Sequence, residues 1–437
     1  MDDLLHASAW QQAHAVQTGL IDRDQLLATQ RRAIDQLNPE INCYIGLTTD
    51  RLLPSDPPPH SSSLWGSTFA IKDNIDLQGW VTHAGLKAFG SAVPAATDAP
   101  VVAKLKAAGL HCLGRLNMHP LALGASNHNP DFGNCLNPAR PGYSPGGSSG
   151  GSGAAVAAGL CGIALGTDTM GSVRLPAAYC GAVGFKPSHG LLGLDGVVPL
   201  SRLLDHVGVL ARSVKDVQEA MAILSPIPLS GHPTGPFALE GVSLAVVRDV
   251  HTLGASPEVV LAYEHGLDRL RNMGGLQWSN TWLDPNELGL ARRSGLLLCE
   301  AELFPLLAPL VRDQPEALPS DLLAMMRYVE KKSAVDIGRA LNGAGLAAAY
   351  LDRLLHGADV LILPTAPQTA FDMGTAPPHN QADLTALANM NGAPAISLPL
   401  PVGPHDLPVG LQLIGRRGCD GLLLKVAQII TEHPAWQ

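Results

Sequence analysis

The chain has 437 residues, 46% of them hydrophobic and 15% charged, with a formal net charge of −9. This composition supplies material for a large core and excludes a disordered chain. The acidic balance argues against a grip on nucleic acid through a basic surface.

The seven cysteines (Cys43, Cys112, Cys135, Cys161, Cys180, Cys299 and Cys419) are scattered and show no C-x-x-C spacing. They read as reduced thiols in a cytoplasmic protein, not as a disulfide or zinc framework. The opening MDDLLHASAW lacks the layout of a signal peptide. No stretch approaches the ~20 apolar residues of a membrane span.

Two helices are expected first. The second covers about 23–37, with Leu26, Leu27, Ala33, Ile34 and Leu37 on one stripe and Asn38-Pro39 as its stop. Residues 52–63, rich in Pro and Ser, read as an exposed connection. The β-prone run 67–76 then places Lys72 at or near the end of an interior strand, where position alone has it pointing into water. Asp98-Ala99-Pro100 reads as a helix start with an N-cap and a first-turn proline. Val101, Val102, Leu105 and Ala108 form its stripe and Gly109 its stop. A strand over 111–115 follows, and 127–143 reads as an irregular surface loop.

Past the central stretch, 203–217 reads as a loop passing into a helix, and 218–357 as mostly helical. One strand is expected at 244–247. A helix then opens at Ser256-Pro257-Glu258, carries Val259, Val260, Tyr263, Leu267 and Leu270, and ends at Gly274-Gly275. Short apolar strands return at 360–363, 395–398 and 409–414 before a terminal helix. Such runs suit central strands covered on both faces. The expected fold is α/β: one large domain over 1–437, built on a central mixed, twisted sheet with helices on both faces. Its core is 65–217 with 358–437, and 218–357 is a variable region shaping a pocket.

The stretch 146–190 draws attention because its Gly/Ser loop runs straight into apolar residues. Residues 153–165 contain only Ala, Val, Leu, Ile, Gly and Cys, so the loop is anchored to a core. Four readings compete. A phosphate loop lacks the Gly-Lys-Ser/Thr that would supply its lysine and metal-ligand hydroxyl. Gly146 to Gly150 fits G-x-S-x-G, but a nucleophile elbow needs a strand directly before it, and 137–145 cannot form one. A purely structural loop is the third reading. A paired-serine hydrolase is the fourth.

The run GGSSGGSGAAVAAG followed by LGTDTMGSVRLPAAYCGAVGFKP resembles the amidase signature family. The likeness covers nearly the whole chain, through FAIKDNIDLQG, DAPVVAKLKAAG with GRLNM, LLDHVGVLARSV, DVLILPT, GAPAISLP and LPVGLQLIGR. It implies a Ser-Ser-Lys triad: Ser172 as nucleophile, Ser148 as proton relay and Lys72 as general base, with a cis peptide at Gly147-Ser148. A serine hydroxyl needs a base within hydrogen-bond reach. A lysine serves only when neutral, which burial favours.

The resemblance further implies an oxyanion hole from the backbone of Thr169, Met170, Gly171 and Ser172. Asp168 and Arg174 read as an ion pair holding that turn, with Ser149 beside them, and Cys180 as core. Two departures stand out: Met170 occupies a position where the family usually has Gly, and His119 follows GRLNM where an acidic residue is common. His119 is given no role.

Leu175, three after the expected nucleophile, occupies a position where the tRNA-dependent glutamine amidotransferase usually has Gln. Leu cannot clamp a polar or carboxylate group. With Met170 it is the expected substrate contact. The expected activity is hydrolysis of a C–N bond in a small, partly apolar amide, carbamate, urea or anilide. Water and substrate are the expected partners, with no cofactor, metal, nucleic acid or membrane, and a homodimer is left open. Two alternatives stand beside it: a component of tRNA-dependent amidation, and an amidase-fold binding protein weakened by Met170.

Overall fold

The computed structural model describes residues 2–48, 62–89, 93–229, 239–403 and 405–436. Helices α1 (Asp2–Leu5), α2 (Ala9–Gln17) and α3 (Arg23–Ile41) open the chain, followed by strand β1 (Tyr44–Leu47). Next come β2 (Thr68–Lys72), α4 (Pro100–Ala107), β3 (His111–Leu116), α5 (Gly150–Ala157) and β4 (Ile163–Asp168). The first half closes with α6 (Arg174–Cys180), β5 (Val183–Lys186), β6 (His206–Ala211) and α7 (Val214–Leu224). Then follow β7 (Ser243–Val247), α8 (Pro257–Arg271), β8 (Gln277–Thr281), α9 (Pro285–Asp313), α10 (Ser320–Val329) and α11 (Ala334–Leu354). The chain ends with β9 (Val360–Pro364), α12 (Ala386–Asn391), β10 (Ala395–Pro399), β11 (Gly410–Gly415) and α13 (Asp420–Glu432).

The eleven strands form one mixed sheet in the order β1-β3-β2-β4-β6-β5-β10-β11-β9-β7-β8. Parallel pairs (β3/β2, β2/β4, β9/β7, β7/β8) flank an antiparallel centre. Both faces of the sheet are covered. Along β2, Phe69 and Ile71 join one hydrophobic cluster and Ala70 another; along β4, Ile163 and Leu165 oppose Ala164 in the same way. That two-residue alternation between separate cores is what a doubly covered sheet requires.

Several expectations change. Helix α3 runs past Pro39 to Ile41 and closes at left-handed Asn42. Asn38 does not end it; its side chain pins the Tyr44 backbone through both Oδ1 and Nδ2. Asp98 does not cap α4: the N-cap is Ala99, and the Asp98 carboxylate binds Lys106 and the Gln78 N–H.

Residues 203–217 hold strand β6, hydrogen-bonded to β4 and β5. Edge strand β8, polar and largely exposed, carries no alternation to read. The irregular 127–143 segment is no surface loop throughout, since Asn127, Asn129, Cys135 and Asn137 are buried. Most of the expected connection 52–63 lies outside the described residues. Helix α9 is, by length and composition, apolar enough to cross a membrane, contrary to expectation. Leu288, Leu298, Cys299, Leu303 and Leu307 along it are nevertheless buried in the protein.

Candidate active site

Strand β2 carries Lys72 on its last residue, and the neighbouring β4 runs parallel to it. The amine that position alone would send into water is fully buried. Lys72 Nζ lies 2.7 Å from Ser148 Oγ and 2.7 Å from Thr167 Oγ1. It forms no ion pair among the described residues. Burial lowers its pKa to about 7, against the pull of Asp205 and then Asp168, which raise it. Behind it, Asp73 and Arg115 form a buried ion pair at 2.7 Å that braces the chain immediately after the lysine.

Ser148 and Ser149 directly precede α5, and the Gly147-Ser148 peptide is cis, as the resemblance implied. Glycines are needed here for close approach: a Cβ on Gly151 would sit 2.4 Å from the Asn117 carbonyl oxygen. The His119 N–H donates to the Ser148 carbonyl at 3.0 Å. Ser149 ties this turn to β4, its Oγ donating to the Thr167 carbonyl at 3.1 Å. Its N–H donates to the Ser172 carbonyl at 3.2 Å, so the two serine turns touch directly. Among the described residues no hydrogen bond joins Ser172 Oγ to Ser148 Oγ. Catalytic hydrogen bonds often tighten only when substrate binds.

The turn bearing Ser172 is shaped by Asp168. Its Oδ1 accepts from the Gly171 N–H at 2.8 Å and its Oδ2 from the Val173 N–H at 3.1 Å. Burial alone would raise this carboxyl. The Arg174 guanidinium, 2.9 and 3.0 Å away in a two-point pairing, outweighs burial and holds it well below the usual carboxylate range. Arg174 spends its other donors on the Thr385 carbonyl, Gln412 Oε1 and Asn389 Oδ1. The expected ion pair is therefore present and fully buried.

One expected donor changes. Of the four expected oxyanion donors, Gly171 has its N–H already engaged by the Asp168 carboxylate. Gly171 is instead required for its backbone, at φ 131° with Thr385 Oγ1 2.3 Å from where a Cβ would stand.

Ser172, Thr169, Met170 and Leu175 line one cavity of about 130 Å³, together with Leu200 and Cys299 among others. Among the described residues, none lining it carries a charge. Met170 finds its space on α9: a Cβ on Gly295 would sit 2.5 Å from Met170 Sδ. Cys180 is a buried core thiol, its pKa pushed up by burial. A larger groove of about 740 Å³, lined by Arg140, His265, Arg269, His405 and Asp406 among others, lies away from these serines. Among the described residues no cluster of His, Cys, Asp and Glu could hold a metal ion.

Thr167, Asn74 and Asp205 carry no signal of a role in the sequence alone. Asn74 Nδ2 donates to Thr167 Oγ1 at 3.1 Å, orienting the hydroxyl against Lys72. Thr169 Oγ1 donates to Asp205 Oδ1 at 2.6 Å. Thr167 and Asp205 lie inside segments that carry the family likeness, but nothing in their spacing announces the hydrogen bond of Thr167 to the lysine or that of Asp205 to Thr169.

A model of the amidase family matches residues 25–290 and 330–424. The chain is 34% identical over 440 residues to a glutamyl-tRNA(Gln) amidotransferase component from Thermus thermophilus, with 92% of each chain covered. Among solved structures it is similar to an amidase at a TM-score of 0.86 and 27% identity, covering 97% of this chain and 98% of that one. It is also similar, at a TM-score of 0.85 and 26% identity over 98% of each chain, to a protein from a vestigial complex that reveals the origins of an s-triazine catabolic enzyme.

Proposed function

The chain belongs to the amidase family, a family of C–N hydrolases, and within it we propose a hydrolase of small, partly apolar amides, carbamates, ureas or anilides. The observation that carries this reading is the buried Lys72 amine, without an ion-pair partner among the described residues and 2.7 Å from the Ser148 hydroxyl. A lysine poised near pH 7 acts as a base without a histidine.

In the proposed reaction, Ser172 Oγ attacks the carbonyl carbon and passes its proton to Ser148, whose own proton goes to Lys72. The developing oxyanion is met by the Thr169, Met170 and Ser172 N–H groups. Collapse breaks the C–N bond, and the leaving nitrogen takes a proton from Ser148, which is resupplied by Lys72. Water then attacks the acyl-Ser172 ester by the same route in reverse.

Cavity and relatives point to different substrates. The uncharged lining of the cavity, with Leu175 and Met170 beside Ser172, favours an apolar acyl group, because a free carboxylate would lack a cation there. Sequence likeness favours the second reading, a glutamine-using component of tRNA-dependent amidation that works with a partner protein. The comparisons support that second reading more directly than they support small-amide hydrolysis.

One experiment separates them. Purified protein is given L-glutamine and a panel of short-chain aliphatic and aryl amides, with ammonia or amine release measured beside labelling by a fluorophosphonate. Release from the apolar amides, lost with labelling in Ser172→Ala, is the expected result. Release from glutamine alone, rising when a tRNA-binding partner is added, transfers the assignment to the second reading. No labelling and no release leaves an amidase-fold binding protein.

A further inference from the structure

Asp205 closes the same site from a side to which the sequence assigned no role. It is buried directly before β6. Its Oδ1 accepts from Thr169 Oγ1 at 2.6 Å, and its Oδ2 from the Leu200 and Ser201 N–H groups at 2.8 and 3.1 Å. Thr169 and Leu200 both line the cavity that holds Ser172.

All three donors are neutral. Asp73 and Asp168, the other buried carboxylates around the lysine, each own a guanidinium. Asp205 owns none, and no ion pair involves it among the described residues. A buried carboxylate without a cation is costly, so its environment calls for an explanation. Lys72 is a cation whose charge it feels, and Asp205 pulls the lysine's proton affinity up more strongly than Asp168 does. The other titratable groups in reach are few: His119 feels the charge of Lys72, and Cys299 on α9 feels that of Asp205.

We propose that Asp205 is a positioning residue with two tasks. It holds Thr169 in the loop that meets the oxyanion, and it is the counter-charge for the Lys72 ammonium formed during acylation. The inference rests on the Ser-Ser-Lys reading above. Burial raises the Asp205 carboxyl to about 6, so it is ionised at neutral pH, when the lysine takes up its proton. A carboxylate without its own guanidinium responds to that proton more fully than Asp168, whose charge Arg174 already balances. The same side chain thus links the geometry of the oxyanion loop to the proton affinity of the base.

The test compares Asp205→Asn and Thr169→Val with the wild-type protein. One readout is the pH dependence of kcat and KM on an amide substrate. The other is the pH titration of the Lys72 ¹³Cε signal in lysine-labelled protein, assigned with Lys72→Met. Asp205→Asn is expected to move the Lys72 midpoint down by about one pH unit or more and to carry the acid limb of kcat/KM with it, while plateau kcat falls. Thr169→Val is expected to lower kcat about tenfold with the midpoint unmoved.

An unshifted midpoint in folded Asp205→Asn overturns the counter-charge, and unchanged kcat in Thr169→Val overturns the loop anchor. Should Asp205→Asn not fold, Asp205→Glu keeps the charge and displaces the Thr169 contact. It must then retain the midpoint and lose kcat, and a shifted midpoint overturns the proposal. The ¹³C titration needs no turnover, so it still decides the counter-charge if no amide proves to be a substrate.

Discussion

Replacing Lys72 by Met removes the amine and keeps an unbranched side chain of similar length in its buried slot. Two effects follow, with opposite signs. The base is lost, and general-base removal lowers kcat about 10²–10⁴-fold. The protein should nevertheless become more stable. In the folded chain the amine lies at about 7, against 10.5 for an unperturbed lysine. Between those values the unfolded chain holds a proton that the folded chain has released. Wild-type stability therefore climbs as pH rises from about 7 to about 10.5 and is lowest below 7.

At ~1.4 kcal/mol per pH unit, that gap sets a ceiling of roughly 5 kcal/mol on the cost of the buried ammonium. The assay is urea unfolding of both proteins at pH 6.5, 8 and 10, beside wild-type kcat/KM from pH 5.5 to 9. Lys72→Met should raise the urea midpoint most at pH 6.5, with the gain shrinking toward pH 10. Wild-type kcat/KM should rise about tenfold between pH 6 and 8 as the neutral fraction goes from ~9% to ~91%, and then level. A flat wild-type profile over that interval, or a variant less stable than wild type at pH 6.5, would show that the amine is neither poised near 7 nor strained by burial.

Three further substitutions test the surroundings. Arg174→Leu strands the buried Asp168 carboxylate and should cost about 3–5 kcal/mol in urea unfolding; a loss under 0.5 kcal/mol would mean the pair does not hold the Ser172 turn. Met170→Ala empties the space against Gly295 and should raise kcat/KM for a branched acyl amide about tenfold relative to its acetyl counterpart, with an unchanged ratio ruling out Met170 as a wall of the acyl site. Gly151→Ala forces a methyl toward the Asn117 carbonyl and should destabilise the protein by about 1–3 kcal/mol, with activity falling as the Ser148 turn shifts; a silent substitution would refute the close approach.

Much of this protein is legible in its sequence. Short, nearly continuous apolar runs mark β2, β3, β7, β9, β10 and β11, because central strands bury both faces and admit few other residues. The Gly/Ser loop before α5 announces a backbone held close to its neighbours, and family likeness attaches Ser148, Ser172 and Lys72 to it. The Asp168–Arg174 pair is readable because two charges in an apolar stretch have few stable alternatives to each other.

Other features depend on contacts distant in sequence. Strand β6 exists because β4 and β5 offer it hydrogen bonds on both edges, and edge strand β8 because β7 offers one. The burial of Lys72 could not be read from a strand end, since it depends on Ser148 and Thr167 arriving 76 and 95 residues later. The loss of the Gly171 N–H to Asp168 is a matter of one turn's geometry, and the room for Met170 is a matter of a glycine on α9. Local pattern reflects how each segment meets water and its own backbone, and so it determined the strands, the loop and the residue types of the site. Whether an amine is charged, which N–H remains free and which carboxylate faces which cation depend on solvent exclusion by remote elements, and those only the assembled fold decided.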